Sequence, residues 1–476
     1  MSRIVASRIF TEADQLKFAT LSGDFNPMHV DRVTARRTGA GAQVVHGMHN
    51  LLWCLGCVAQ ETTNSLPMAS LRVNFDTFVT IGEQVEIALL QSDVTRIRVE
   101  ARAGGVTVMT VLLGFGDKRA ASPEPKSIVS FDADTAIDPP ETEIETMSGA
   151  IPFAQPVAMI AAAFPHTARL LGDRGVAALG GFTRLVGMVC PGLHSIFNRI
   201  TLEAADDDGT DYIGFQVTSA SQMHRRIVSA VWGGGWVGSL TSMVRHRPTV
   251  QSSSEDVARL VVPNEFAGRN ALVIGGSRGI GEVVAKLVAA GGGNTIITYA
   301  VGRSDAERVA TEIKAQGGRC DVVKLDVGQP IAPQLASIET VPDQLYYFAT
   351  PMIGGRRNAL FETEKLANFL RFYVTGFYDC CQTLLAREPE RLSALYPSSV
   401  FVEARPAGVV EYAMAKAAGE QLCQDMNESI ANFHVMVSRL PRLATDQNPG
   451  FSGTSATPSV AEALLPLIRA MVQGGR

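Results

Sequence analysis

Ser22-Gly-Asp24-Phe-Asn26-Pro-Met28-His29 places a carboxylate and an imidazole within six residues around an Asx-Pro turn. A short polar turn between apolar flanks, Phe18 to Leu21 before it and Val30 after, can aim both groups at one point. There each can act as general acid or base. The plainer alternative is a loop whose Asp caps a helix and whose His is incidental. About twenty residues on, Val44-Val-His-Gly47-Met48 opens an apolar run through Val58 that reads as a buried helix. Backbone N–H groups at its start, Gly47, can polarise a carbonyl oxygen.

A second constellation lies near the C-terminus, where Tyr412 and Lys416 are one helical turn apart and share a face. A neighbouring ammonium favours the phenolate and is expected to lower the tyrosine pKa, as a proton donor working near neutrality requires. Ser399 precedes Tyr412 by thirteen residues (412 − 399).

The elements that must position these groups can be read from periodicity. Strands are expected over 68–79, 84–90, 97–101 and 106–115, several alternating apolar and polar, with turns at Gly82 and Gly104-Gly105. The Pro-, Asp-, Glu- and Ser-rich stretch from Lys118 to about Met147 reads as an exposed linker. From Ile151 to Arg247 the pattern recurs: a helix over 175–188, then 190–202 paralleling 66–75, then strands over 212–217 and 226–231. This second stretch lacks an Asp-x-Asn-Pro-x-His, and His166, His194 and His224 are scattered, as structural histidines would be.

Gln251 to Glu255 reads as a further linker, after which Asn270–Ile274 is a strand, Gly275–Gly281 a glycine-rich turn and 282–290 a helix. That order sets backbone N–H groups and a helix N-terminus against a pyrophosphate. The next strand, 294–299, runs toward Arg303-Ser304 and not toward an acidic residue, and Arg278 lies inside the turn. Both arginines can meet a ribose 2′-phosphate, which favours NADP(H) over NAD(H); the alternative for each is a solvated surface arginine. Leu325-Asp326-Val327 ends a third strand and 344–351 forms a fourth.

Two family resemblances follow. Phe18, Leu21-Ser-Gly-Asp24, Asn26-Pro, His29 and Asp31, with Val45-His-Gly-Met48, resemble the MaoC-like (R)-specific enoyl-CoA hydratases of the hot-dog fold. The resemblance covers about the first 120 residues. It implies that Asp24 and His29 are the catalytic pair, that Asn26 supports them, and that the Gly47 N–H binds the thioester oxygen. Met28 stands where that family more often has a branched aliphatic residue. With the recurrence, the N-terminal half is expected to be an α+β double hot dog with one live site. In related eukaryotic double hot dogs the motif sits in the other half.

The last 210 or so residues resemble the short-chain dehydrogenase/reductases, an α/β Rossmann fold with a doubly wound parallel sheet. The resemblance implies that Gly275, Ser277, Arg278, Gly279, Ile280 and Gly281 hold the phosphates, with Arg303, and that Asp326 and Val327 meet the adenine. It also implies that Ser399, Tyr412 and Lys416 carry the chemistry, the last two also binding cofactor, and that 441–445 lies near the nicotinamide. Ile274 departs from the family's usual Thr, Phe348-Ala-Thr-Pro351 from its Asn-Asn-Ala-Gly, and Tyr373 from the Asn that anchors a proton-relay water.

The expected domains are 1–120, 148–250 and 265–476. Among 476 residues, 46% are hydrophobic and 19% charged, the balance of globular domains with ample core. A net charge of −5 gives no reason to expect nucleic acid or an anionic membrane as partner. No run approaches the roughly 20 apolar residues of a membrane span, so a cytoplasmic protein is expected. Seven cysteines fit a reducing compartment, and Cys54-Leu-Gly-Cys57 reads as helix packing, with no metal expected. The reading these residues favour is a bifunctional enzyme on an acyl-CoA or acyl carrier protein thioester, as a homo-oligomer. It carries an NADPH-dependent 3-oxoacyl reductase and an (R)-3-hydroxyacyl dehydratase/enoyl hydratase. The alternatives are a dehydratase with a silent reductase domain and a scaffold without turnover.

Overall fold

A computed structural model describes residues 2–62, 66–117, 120–121, 135–207, 209–354, 360–447 and 459–473. The chain divides into two compact units, Met1–Arg247 and Pro248–Arg476.

The first unit is built on strands whose alternating sequences bury one face. β4 (Arg96–Ala103, RIRVEARA) buries every second residue from Ile97 onward, as a period of two demands. Among the described residues its partners are β1 (Arg3–Ile9), β2 (Met68–Phe75), β3 (Gln84–Ser92) and β5 (Val106–Phe115), followed by β6 (Ser148–Pro152), β7 (Ser195–Ala204), β8 (Tyr212–Ser221), β9 (Arg226–Gly233) and β10 (Trp236–Val244). All ten join one antiparallel sheet in the order β1-β3-β4-β5-β2-β7-β10-β9-β8-β6. The second five strands thus repeat the order of the first five from the opposite edge. β2 and β7 meet at the seam, with Val73 opposite Ile200.

Each half contributes one helix at the same place in its order, Gly47–Glu61 before β2 and Asp173–Arg184 before β7. The second continues as a π-helical turn, Leu185–Val189. Leu51, Leu52 and Leu55 of the first helix and Val176, Leu179 and Phe182 of the second are fully buried in one core shared by both halves. Each such side chain contributes roughly 1.5–3 kcal/mol relative to an exposed one.

Several boundaries differ from expectation. The strand expected over 68–79 ends at Phe75, because the chain turns there so that Thr80 can bridge Val44. β1, β6 and β10 carry weak signals: β1 is a half-exposed edge strand, β6 is five residues long, and Gly238 interrupts β10. Most of the expected linker at 118–147 lies outside the described residues. Its last part, 135–147, is mostly exposed as expected, but it is tied to the unit: the Ile137 N–H donates to Met188 O, the Leu193 N–H donates to Ile137 O, and Ile144 is buried. The stretch at 251–255 is tied down as well, since Ser253 caps the helix Ser254–Ala258 and the Gln251 amide donates to Ala444 O.

In the second unit six parallel strands form a separate sheet among the described residues: β11 (Asn270–Ile274), β12 (Asn294–Tyr299), β13 (Arg319–Lys324), β14 (Gln344–Tyr347), β15 (Leu392–Ser399) and β16 (Phe433–Leu440). Their order, β13-β12-β11-β14-β15-β16, reverses direction between β11 and β14. Such a reversal opens a crevice at the carboxyl ends of the strands, where ligands of open α/β sheets bind. Apolar clusters cover both faces, which is why β15 is buried at every residue. No helix of the described residues is long and apolar enough to cross a membrane.

Candidate active sites

The helix Glu12–Ser22, opened by a Thr11/Asp14 capping box, ends at Gly23 with φ +76°. Only glycine serves there, since a Cβ would also stand 2.7 Å from Ala154 Cβ and 2.8 Å from Arg184 Cδ. The chain then folds on itself: Asp24 Oδ1 accepts the Asn26 N–H at 3.1 Å, and Asn26 Oδ1 accepts the Met28 N–H at 3.2 Å. Pro27 starts a one-turn helix, Pro27–Val30, that presents His29.

Asp24, His29 and Gly47 line one cavity of about 280 Å³, whose walls include Phe75, Val79, Val108 and Val186. His29 Nδ1 lies 2.8 Å from Val44 O, an acceptor, so Nδ1 carries the proton and Nε2 of the neutral ring holds the lone pair. The His46 ring stacks on His29 with centroids 3.8 Å apart. Gly47 opens its helix without a side-chain cap, leaving first-turn N–H groups facing the cavity. A Cβ at Gly47 would press on the Phe75 ring at 3.0 Å.

The other half of the sheet completes this site. Thr183 Oγ1 donates to Asp24 Oδ2 at 2.7 Å, and Asn26 Nδ2 donates to Gly187 O at 2.8 Å. Gly187 is glycine because a methyl group there would lie 2.7 Å from Asp24 Cγ. Sequence reasoning assigned the second half no part in the site, and Thr183 and Gly187 carry no motif of their own. The only local signal is the run of small residues in the second central helix, which permits close approach.

Burial pushes the Asp24 carboxyl above the usual range, while His29, the Thr183 hydroxyl and the Asn26 N–H pull it back. Burial pushes His29 below the usual histidine range; Asp24 and the Val44 carbonyl oppose this and Arg245 adds to it. His29 Nε2 thus stands free of a proton beside a buried Asp24 carboxyl group whose two oxygens both accept hydrogen bonds. Asp24, His29 and His46 bring possible ligand atoms within 4.8 Å of one another. Both His46 nitrogens, however, face oxygens at 2.9 Å, Gln15 Oε1 and Asp24 O, and so turn no free lone pair toward an ion.

In the second unit the turn after β11 forms as expected. Gly275 and Gly279 have φ +79° and +60°, and a Cβ at Gly281 would stand 3.0 Å from Gly275 C. Ser277 and Ile280 sit in the same turn, from which the helix Gly279–Ala290 starts at the crevice. Arg278 has a protein partner, Asp446 Oδ2 at 3.0 Å, and Arg303 is exposed and pairs with Glu307 at 2.7 Å. Asp326 follows β13, where its Oδ1 accepts the Gly328 N–H at 2.8 Å; Val327 beside it is buried.

Ser399, the last residue of β15, hydrogen-bonds Tyr412 of the helix Val410–Ser429, and Lys416 is one turn further on. The Lys416 ammonium donates to Pro397 O at 2.6 Å and lies 3.8 Å from the Tyr373 ring centroid, against 6.0 Å from that of Tyr412. The expected lowering of the Tyr412 pKa by Lys416 is therefore corrected: burial raises it, and the Ser399 hydrogen bond is what pulls it down. Lys416 is itself desolvated, down to about 7, so it offers the phenolate less than a full charge. Tyr373 stands in a π-helical turn, Arg371–Thr375, and its hydroxyl bonds Thr350. An aromatic face thus meets Lys416 where the resembled family has the relay Asn.

Comparison with known proteins decides the families. Residues 3–111 match the MaoC like domain model, and residues 269–448 match the short chain dehydrogenase model. The chain is a MaoC-like domain fused to a short-chain dehydrogenase domain. Versicolorin reductase 1 of Aspergillus parasiticus is 39% identical over 74 residues, 16% of this chain and 28% of that protein. L-rhamnose 1-dehydrogenase (NADP(+)) of Thermoplasma acidophilum is 39% identical over 66 residues, 14% of this chain and 26% of that protein. The chain therefore spans little more than a quarter of these relatives. Among solved structures, a short chain dehydrogenase from Burkholderia cenocepacia in complex with NADP is 23% identical with a TM-score of 0.39, covering 44% of this chain and 91% of that one.

Proposed function

We propose that the chain is a bifunctional acyl-thioester enzyme: an (R)-specific enoyl hydratase/3-hydroxyacyl dehydratase joined to an NADPH-dependent 3-oxoacyl reductase, in fatty-acid- or polyketide-like metabolism. The observation that carries it is the convergence of Asp24, His29 and the Gly47 helix end on one apolar cavity. We further read the ten strands as a double hot dog, 1–120 and 148–250, followed by the Rossmann domain 265–476, in a cytoplasmic homo-oligomer.

In the hydratase site the first-turn N–H groups at Gly47 polarise the thioester carbonyl. His29 Nε2 takes a proton from water as the water oxygen bonds C3. Asp24 orients that water, and the proton held on His29 is delivered to C2. Dehydration runs the same path in reverse. Both steps of the pair of activities act at C3 of one acyl chain, which is the chemical sense of the fusion.

The second unit fits a dinucleotide: a cradle that a Cβ would fill at Gly275 and Gly281, and a helix N-terminus at the reversal of strand order. Gly275, Ser277, Gly279, Ile280 and Gly281 would hold the pyrophosphate, Asp326 and Val327 the adenine, and Tyr412 and Lys416 the ribose side. When bound, NADPH supplies the hydride. Tyr412 donates the proton to the substrate oxygen, Ser399 orients that oxygen, and Lys416 tunes the phenol. The NADP named with the Thermoplasma relative supports this cofactor. The Arg278→Ala, Arg303→Ala double variant is expected to bind NADPH at least about tenfold more weakly with NADH unchanged. Fluorescence titration reads this, and equal affinities of the wild type for both cofactors would remove these arginines from the 2′-phosphate.

A dehydratase with a silent reductase domain is the second reading. It is favoured by one observation, the Lys416 ammonium held by Pro397 O and the Tyr373 face. Incubation with a 3-oxoacyl thioester and NADPH, followed by absorbance at the NADPH band and by product mass, separates the two. Gly187→Ala tests the hydratase site from the other half: its methyl must displace the Asp24 carboxylate, and kcat for hydration is expected to fall about 10²-fold. Unchanged kcat in a folded Gly187→Ala protein would show that Asp24 is not held where the reaction needs it.

A further inference from the structure

Asn50 is an amide that, after His49, precedes the apolar Leu51-Leu52-Trp53 of the first central helix, about one turn beyond Gly47. It lines the same cavity as Asp24 and His29 and is only 4% exposed. Its Oδ1 has no hydrogen-bond partner among the described residues. A buried acceptor left unmade costs roughly 1–3 kcal/mol, and it discriminates strongly in favour of a ligand that supplies the missing donor. Asp24, which lines the same cavity, has both carboxyl oxygens in hydrogen bonds made within the protein.

We propose that Asn50 is a specificity-determining residue whose carboxamide receives a hydroxyl carried on the acyl chain beyond C3, so that the hydratase site takes δ-oxygenated acyl thioesters. This rests on the hydratase reading above and names its substrate class. With the thioester oxygen at the Gly47 N–H, Asn50 stands one helical turn further along the cavity wall, roughly 4.5 Å of helix axis. A few carbon–carbon bonds span that distance, which puts C5 and its oxygen at the amide. Leu51 and Leu52 next to Asn50 are fully buried, and in this placement the amide addresses the acyl chain.

The test uses pantetheine thioesters, which carry the arm common to coenzyme A and carrier protein. Hydration of trans-2-hexenoyl- and 5-hydroxy-trans-2-hexenoyl-pantetheine is compared in wild type, Asn50→Leu and Asn50→Ser. Binding of the saturated hexanoyl and 5-hydroxyhexanoyl analogues is measured by calorimetry on the same proteins. Wild type is expected to favour the hydroxylated chain by about tenfold or more in kcat/KM and in Kd. Asn50→Leu is expected to lose that preference and gain on the plain chain, while Asn50→Ser keeps part of it. Equal handling of both chains by wild type, or the same preference in Asn50→Leu, overturns the proposal. So does an equal fall in kcat on both chains in Asn50→Leu, which would make Asn50 a holder of the reacting water. A binding preference without hydration would sink the hydratase reading and leave Asn50 in its role; hydration without preference would do the reverse.

Discussion

Asp24→Asn is expected to lower water addition to a 2-enoyl thioester by about 10²–10⁴-fold, and His29→Ala by a similar factor. Asparagine keeps the shape and one acceptor of the turn, so the Asn26 N–H and the fold of 23–29 survive. What is lost is the carboxyl group that orients water in the proposed mechanism and that opposes the burial-driven fall in the His29 pKa. His29→Ala removes the ring whose Nδ1 is fixed by Val44 O and whose Nε2 is the proposed base. Absorbance of the enoyl thioester measures the rate, and NADPH oxidation by the same preparations is expected to be unchanged. If either variant kept more than about a tenth of wild-type hydration, the pair would not be acid/base catalysts of the usual worth.

The second large effect is expected at Tyr412. Tyr412→Phe removes a buried hydroxyl, hydrogen-bonded to Ser399, that is the proposed proton donor to the substrate oxygen. Reduction of a 3-oxoacyl thioester is expected to fall by about 10²–10⁴-fold with NADPH binding and hydration spared. Lys416 adds a pH signature. Its pKa is depressed to about 7 by burial, so its charge is present below that pH and lost as pH rises through it. Wild-type reductive kcat/KM is expected to decline above about 7, and Tyr373→Asn, which removes the aromatic face from Lys416, is expected to move the break. A wild type that binds NADPH yet reduces no 3-oxoacyl thioester, or a Tyr412→Phe that reduces as fast as wild type, would leave the dehydratase as the chain's one activity.

Local chemistry was legible in the amino-acid order wherever it was local in space. The Asp24–His29 turn, the glycine turn at 275–281 and the Tyr412–Lys416 pair depend on backbone φ, capping and helical spacing within a few residues. Period-two alternation likewise marked β3, β4, β5, β8 and β9. Edge strand β1 and short β6 lacked that alternation and are held by pairing with β3 and β8, distant in sequence; β10, with Gly238 in its course, is held by the hairpin with β9 and by β7.

Only the tertiary structure decided which groups surround the reacting ones. Thr183 and Gly187 reach Asp24 and Asn26 across about 160 positions, at a seam where two half-sheets meet. The Lys416 pKa was lowered by burial, against Cys423 and Glu420, and the Tyr412 pKa was raised by burial, against the Ser399 hydrogen bond; the one-turn spacing that a sequence displays set neither. Desolvation depends on everything packed around a group, and that packing is a property of the folded chain. Sequence alone therefore determined which side chains are available for chemistry; their protonation and their unpaired partners, Asn50 among them, were decided by what the fold brings against them.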